Sequence, residues 1–199
     1  MADSPRLLRL SGNEIAPYLD ALADLRIEVF REFPYLYDGD HDYERRYLRT
    51  YAESELSVFI VALAGSEVIG VSTGIPLRDE TEEFKRPFRE RDFDVDGIFY
   101  FGESVLRRSW RGRGLGVAFI REREAFAREH GFHTAVFCAV ERPDDHPLRP
   151  PDHVPLNRFW EKRGYRRQPD LTTTYRWKDV GEQGETDKRM VFWMKRLDG

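Results

Sequence analysis

Cysteine is nearly absent from this chain. One cysteine, Cys138, occurs among 199 residues, inside the apolar run TAVFCAV. A single thiol excludes a disulfide framework and a thiolate-rich metal site, and it fits a reducing cytoplasm. Long apolar runs are missing too. The longest, VFIVALAG from Val58 to Gly65, falls far short of the roughly 20 residues that a membrane-spanning helix needs. The opening MADSPRLLRLSGNE has only a short apolar run, broken by Arg9, and does not read as a secretory leader. Positive charge is not in excess. The formal net charge is −4, which argues against a nucleic-acid surface and for cationic partners. No long linker, internal repeat or low-complexity tract interrupts the chain. With 40% hydrophobic and 34% charged residues, residues 1–199 are expected to form one folded domain.

What is present reads as alternating strands and helices. Arg6–Leu10 is a short strand, and SGNE then offers helix caps. Tyr18, Leu22, Leu25 and Val29 share one helical face. Pro34 and Gly39 break that helix within FPYLYDGDHD, and Tyr43, Tyr47 and Tyr51, four apart, predict a second. Ser57–Leu77 reads as two strands about a Gly65-Ser66 turn. The charged segment from Asp79 to Gly97 reads as partly helical, and IFYFGESVL, Ile98–Leu106, as one strand. A helix over VAFIREREAFAREH stops at Gly131. The uninterrupted apolar pattern of His133–Val140 predicts a buried, parallel strand, reached by a right-handed crossover. The five prolines of ERPDDHPLRPPDHVP make a loop, LNRFWEKRG a short helix, and TTTYRWKDV and RMVFWMKRL two closing strands. The order is that of a mixed α/β fold.

Between the Ile98–Leu106 strand and the following helix stands SWRGRGLGVAF, with Arg111, Gly112, Arg113, Gly114, Leu115 and Gly116 in a row. Glycines at a helix start let the backbone close on an anion, where unpaired N–H groups and the positive dipole end meet it. A dinucleotide fingerprint, G-x-G-x-x-G, fails: its third glycine would be Val117 or Phe119. A P-loop fails as well, because Val117 stands at its second glycine and no lysine follows. What fits is R-x-x-G-x-G, met by Arg111, Gly114 and Gly116, with the lead-in Trp110-Arg111-Gly112.

In these residues, and in the later FWEKRGY, the chain resembles the GCN5-related N-acetyltransferases. The resemblance runs from about Leu7 to Leu197 and is specific from Tyr100 to Tyr165. It implies a central, mostly antiparallel sheet with one parallel strand–helix–strand unit at the cofactor site, flanked by helices. It also implies acetyl-CoA as co-substrate, its pyrophosphate held by N–H groups from Arg111 to Gly116. Backbone groups of Ser104, Val105 and Leu106 would hold the pantetheine arm, and one N–H would polarise the thioester oxygen. An amine then attacks the thioester directly. An alkylammonium of pKa near 10.4 loses its proton at pH 7 at a cost of about 4.6 kcal/mol, so a base helps. Glu103 is the only acid on the strand before the loop; it is either that base or an outward polar residue of an alternating strand.

The family's proton donor to the departing thiolate is a tyrosine, and here that position is Trp160. A thiol pKa near 8.5 limits the loss to roughly 2 kcal/mol at pH 7. Tyr165 aligns with the family's core aromatic and is expected to pack. Asn157, on the same helix, lies closer to the aromatic than the family's asparagine does and is carried over as a cofactor contact with Trp160. The repeats Asp145-His146 and Asp152-His153 lack a third ligand type, so no metal site is expected; His146 is a candidate proton relay. The acceptor pocket is implied between the first two helices, with Tyr35 and Tyr37 as walls and Asp38, among the acids of that segment, attracting an ammonium. The expected function is therefore transfer of an acetyl group to the primary amine of a small cationic molecule in the cytoplasm. Neither nucleic acid nor membrane is an expected partner, and a homodimer is allowed. Two other readings stay open: a CoA-binding regulator of the same fold without turnover, favoured by Trp160, and a peptide or protein acetyltransferase with an open groove.

Overall fold

The computed structural model describes residues 4–197; the expected domain, 1–199, extends beyond them at both ends. The strands are β1 (Arg6–Leu10), β2 (Val58–Ala64), β3 (Glu67–Pro76), β4 (Ile98–Tyr100), β5 (Ser104–Leu106), β6 (Thr134–Val140), β7 (Arg166–Lys178) and β8 (Glu185–Arg196). The helices are α1 (Leu19–Phe30), α2 (His41–Glu53), α3 (Glu82–Arg89), α4 (Leu115–Glu129) and α5 (Asn157–Glu161). The segment from Asp79 to Gly97 is indeed partly helical, as α3. SGNE, expected to cap the first helix, opens a 3₁₀ turn, Gly12–Tyr18, that contains Pro17, and the α-helix begins only at Leu19.

β2 decides the layering. Its alternate residues Phe59, Val61 and Leu63 join one core, and Val58, Ile60 and Ala62 join another. A strand apolar on both faces needs cover on both. On one face, Leu22 and Leu25 of α1, Leu48 and Tyr51 of α2, and Phe84 and Phe88 of α3 supply it. On the other, Leu115, Phe119, Ile120 and Phe126 of α4 do. A fully buried ring such as Phe59 or Phe119 contributes about 2 kcal/mol by leaving water.

The sheet runs β1-β2-β3-β4-β6-β8-β7, with β5 also paired to β3. All pairs are antiparallel except β4 with β6, joined through α4. This is the mostly antiparallel, helix-flanked sheet with one parallel unit that the sequence led us to expect.

The expected single strand Ile98–Leu106 is, however, two. Tyr100 pairs with Ile75, and Ser104 pairs with Ser72. Between those pairs β3 takes three steps and its partner takes four, so Phe101–Glu103 contains one extra residue, a β-bulge. Phe101 N–H still donates to Val136 O at 2.8 Å, and Gly102 N–H to Thr73 O at 3.2 Å. Past Val136, β6 has no strand partner on that side among the described residues, whereas β5 stays on β3. The two strands part, and the sheet opens between them. Gly102 is required at the bend, because a Cβ there would press into the Tyr51 hydroxyl and Thr73 Oγ1.

The bulge also decides where Glu103 points. Ile98 and Tyr100 belong to the α1–α2–α3 core, Phe99 and Phe101 to the α4 core. Continued alternation would send residue 103 toward α4. One extra residue reverses the parity. Val105 accordingly lies in the α1–α2–α3 core and Leu106 packs on the α4 core, and Glu103 shares the side of Val105.

Candidate active site

The glycine loop follows a single 3₁₀ turn, Arg108–Trp110, and ends in α4. Gly112 and Gly114 have φ of +77° and +85°, a left-handed geometry costing other residues about 1–2 kcal/mol each. Among the described residues, the N–H groups of Gly112, Arg113 and Gly114 reach no backbone acceptor. Those of Leu115 and Gly116 open the helix, where no intrahelical acceptor exists. Five successive donors at the positive end of a 15-residue helix therefore have no backbone acceptor among the described residues. This arrangement fits a pyrophosphate.

The side chains around the loop brace it. The Arg111 guanidinium grips Glu32 of the α1–α2 connection at 2.7 and 3.2 Å and donates to Leu106 O at 3.0 Å. Arg113 lies over the Trp110 ring at 4.7 Å. Phe159 of α5 approaches Gly116 closely enough that a Cβ there would sit 3.3 Å from its ring, which sets α5 beside the loop. Asn157 is exposed on that helix. Trp160 is half-buried, its ring 5.0 Å from both Phe137 and Trp193. Tyr165 packs as expected: it is fully buried and its hydroxyl donates to Glu124 at 3.0 Å. If the loop holds a phosphate, Gly114→Ala weakens acetyl-CoA binding about tenfold, the factor that 1.4 kcal/mol of strain gives. Titration calorimetry checks this, and an unchanged Kd removes the loop from the site.

On the opposite face of the sheet a cavity of about 350 Å³ lies between α1, α2 and the strands. Glu103, Tyr35, Tyr37 and Asp38 all line it, together with Tyr100 and Cys138. Glu103 is 7% exposed and meets Arg26 of α1, whose Nη1 is 2.6 Å from Glu103 Oε2. Arg26 Nε also bonds Glu44 of α2, and its guanidinium lies over the Tyr47 ring at 4.3 Å. Burial works against the Arg26 charge, but Glu103 and Glu44 outweigh it and hold its pKa well above the usual arginine value. Burial, reinforced by Glu103, raises the Tyr47 phenol, so this hydroxyl stays protonated; it lies 3.1 Å from Tyr51 Oη. Glu103 Oε1 is buried and has no hydrogen-bond partner among the described residues. It is an acceptor with capacity left over, at the point where the strands part.

Two expected roles change. His146 is not brought to the cavity: it sits in the 141–156 loop, its ring 5.7 Å from Phe33, and its Nδ1 accepts from Leu148 N–H at 3.2 Å. Asp38 lines the cavity but its charge is taken, by Lys178 at 2.6 Å and Arg31 at 3.2 Å. The Lys178 bond holds the Asp38 pKa below the usual carboxylate value. Among the described residues no three His, Cys, Asp or Glu side chains gather as metal ligands, and no helix is long and apolar enough to cross a membrane.

Sequence reading missed Arg26 and Arg123. Arg123 of α4 is 3% exposed and reaches the bulge from the other face. It donates to Thr73 O and Glu103 O, both at 3.1 Å, and to Ser104 Oγ at 2.7 Å. Burial lowers its pKa to about 10, so it remains charged at neutral pH. The available signal was positional: Arg26 follows Leu22 by four and Arg123 follows Phe119 by four, which puts each charge on a buried stripe.

Comparison with known proteins agrees with this fold. The sequence model of the Acetyltransferase (GNAT) family matches residues 21–165. No curated protein matches the sequence. Among solved structures, an N-acetyltransferase from Staphylococcus aureus superposes with a TM-score of 0.63 at 13% identity, covering 98% of this chain and all of that one. Ribosomal-protein-alanine N-acetyltransferase from Brucella melitensis gives 0.61 at 15%, over 95% and 99%. A protein of Salmonella typhimurium solved with its cofactor acetyl-CoA gives 0.60 at 12%, over 98% and 95%. The likenesses at this identity speak for the fold, and the match over residues 21–165 speaks for descent. The chain belongs to the GNAT acetyltransferase family, as an acyltransferase that takes acetyl-CoA as its co-substrate.

Proposed function

We propose that this protein, a single domain over residues 1–199, transfers the acetyl group of acetyl-CoA to the primary amine of a small cationic molecule held in the 350 Å³ cavity. The observation that carries this reading is the unpaired, buried Glu103 Oε1 at the parting of β5 and β6. Glu103 lines the acceptor cavity, and the glycine loop follows the other end of β5.

Acetyl-CoA supplies the thioester. The N–H groups of Gly112, Arg113, Gly114, Leu115 and Gly116 hold its pyrophosphate; that of Arg111 is spent on Arg108 O, and Arg111 serves through its side chain, which braces the loop on Glu32. The backbone of Ser104, Val105 and Leu106 holds the pantetheine arm along the edge β6 leaves open, and Asn157 and Trp160 flank it from α5. Tyr35 and Tyr37 wall the amine, and Glu103 Oε1 receives its proton. That transfer offsets part of the roughly 4.6 kcal/mol needed to deprotonate an alkylammonium at pH 7. His146 has no part in this scheme. Trp160 offers no acidic proton to the thiolate, and this is the one feature that favours a CoA-binding regulator.

Two measurements on the full chain separate the readings: acetyl-CoA titration, and CoA release with a panel of small amines and N-terminal peptides. We expect saturable binding and release with a small amine. Binding without transfer to any amine supports the regulator, faster transfer to peptides supports a peptide acetyltransferase, and absence of binding overturns all three.

A further inference from the structure

Of the hydroxyls around the acceptor cavity, one has nothing to bond. The phenols in that wall belong to Tyr35, Tyr37, Tyr43, Tyr47, Tyr100 and Tyr175. Tyr43 Oη meets Tyr175 Oη at 2.6 Å, Tyr47 Oη meets Tyr51 Oη at 3.1 Å, and Tyr100 Oη meets Cys138 Sγ at 3.1 Å. The Tyr37 phenol is held beside Glu44. Tyr35 Oη reaches no hydrogen-bond partner among the described residues; the contacts of Tyr35 are made by its carbonyl and its ring. The buried polar atoms left unspent in the same wall are Glu44 Oε1 and Glu103 Oε1, which are acceptors, and Arg26 Nη1, which faces Glu103 as an ion pair. Lys178 is tied to Asp38 at 2.6 Å. Tyr35 is therefore the uncommitted donor that can release a proton.

Its position is fixed from outside the cavity. Tyr35 O accepts from Arg142 Nη2 at 2.8 Å and from Trp177 Nε1 at 3.0 Å, and Arg142 Nε donates to Pro34 O at 2.8 Å. The same guanidinium grips Asp179 with two bonds, at 2.8 and 2.9 Å. The Tyr35 ring lies 4.6 Å from Phe30 and 6.0 Å from Trp177. A donor on such a support needs little reorganisation when charge develops opposite it. The wall that holds it also includes Glu103, from the bulge before β5, and Cys138, which follows Val136 and Phe137 on β6. These are the two lips of the gap where β5 and β6 part. Burial raises the Tyr35 phenol, and Cys138 and Glu103 add to the rise, so the hydroxyl carries its proton at neutral pH.

We propose that Tyr35 is the acid of the reaction, giving its hydroxyl proton to the sulfur of the departing CoA, a role that the indole of Trp160 leaves open. The proposal rests on the function proposed above. Its steps balance. Glu103 takes the first proton of the ammonium. The neutral nitrogen attacks the thioester carbon, and the C–N bond forms as the carbonyl π pair moves to oxygen. When that pair returns, the C–S bond breaks and its electrons go to sulfur. Sulfur takes the Tyr35 proton. The Tyr35 oxygen recovers a proton from the nitrogen, which is positively charged after attack and must lose it to become an amide. Tyr35 begins and ends neutral. A phenol raised by burial gives up a proton most readily as it gains another, which couples the two transfers.

The test compares the full chain with its Tyr35→Phe and Trp160→Tyr variants. CoA release is measured with butylamine, 2-phenylethylamine, spermidine and a short peptide with a free N-terminus, and the variants are followed on whichever of these the parent uses best. Phenylalanine keeps the ring and removes only the hydroxyl. We expect Tyr35→Phe to lower kcat about ten- to thirtyfold at pH 7, because a thiol pKa near 8.5 lies about 1.5 units above neutrality. The KM for the amine and the Kd for acetyl-CoA should hold within about twofold, the latter as the check on folding. The deficit should close by about pH 9.5, where the leaving group is stable as the thiolate. Trp160→Tyr should change kcat by less than about twofold, since the acid is already in place. An unchanged kcat for Tyr35→Phe, an effect confined to the amine KM, or a deficit of equal size at both pH values would overturn the proposal and leave the acetyltransferase standing. So would a gain of about tenfold or more from Trp160→Tyr, which would mean that the acid had been missing. Acetyl-CoA binding by the parent with transfer to none of the four amines would overturn both the proposal and the function on which it rests.

Discussion

Glu103→Gln should lower kcat for amine acetylation by 10²- to 10⁴-fold, the usual contribution of a positioned base. The substitution keeps the shape of the side chain and removes its charge. Arg26 retains Glu44 as a partner, so the cluster passes from two carboxylates around one guanidinium to a single ion pair, and no buried cation is stranded. Affinity for acetyl-CoA should hold within about twofold, or about 0.4 kcal/mol, because the N–H groups assigned to it lie on the loop and on β5. The pH profile distinguishes a base from a structural acid. Without Glu103 the reaction relies on amine that is already neutral, a fraction that rises about tenfold per pH unit below a pKa near 10.4. The variant should therefore recover much of its deficit between pH 7 and pH 9. Equal rates for variant and parent across that range would remove Glu103 from the chemistry.

The second large effect belongs to Arg123, which touches neither the cavity nor the loop. Arg123→Met should cost about 3 kcal/mol, in line with loss of a buried charge-assisted network. For a chain of 199 residues that lowers Tm by roughly 6–12 °C, at about 2–4 °C per kcal/mol. The reason is local. Of the groups it binds, Glu103 O belongs to the bulge, Ser104 Oγ to the first residue of β5 and Thr73 O to β3 opposite. Met fills the volume but offers no donor, and the split strand loses the tie that fixes it from the α4 side. Arg123→Lys should recover only part of the loss, because one ammonium cannot replace the fork of donors. In the Met variant kcat should fall by a larger factor than acetyl-CoA affinity, since Glu103 is carried on the bulge and the loop is not. An unchanged Tm for Arg123→Met would show that the bulge holds without it.

Much of the fold could be read from residue patterns because the patterns are local. R-x-x-G-x-G between a strand and a helix marked the turn into α4, and the tyrosines at 43, 47 and 51 marked α2. The identity of Glu103 was equally plain. Its direction was not, because alternation counts residues and the bulge adds one that the pattern IFYFGESVL does not announce. Arg26 and Arg123 escaped for a related reason: a search for apolar periodicity passes over a charge on the buried stripe. Asp38 was read as free because its partner, Lys178, comes from β7, 140 positions further along the chain. The cavity is likewise assembled from separate strands: Tyr100 from β4, Cys138 from β6, Tyr175 and Trp177 from β7. No window along the sequence holds more than two of these.

The two-faced sheet has a consequence for the order of events. The glycine loop is attached to the α4 face, and the cavity lies on the α1–α2–α3 face. On the function proposed above the reactants arrive from opposite sides of one wall and meet only at the gap between β5 and β6. Neither has to pass the other to reach its seat or to leave it. Such a layout suits a ternary complex formed in either order, with no acetylated form of the protein between the two half-events. In steady-state kinetics it belongs with intersecting lines when one reactant is varied against the other.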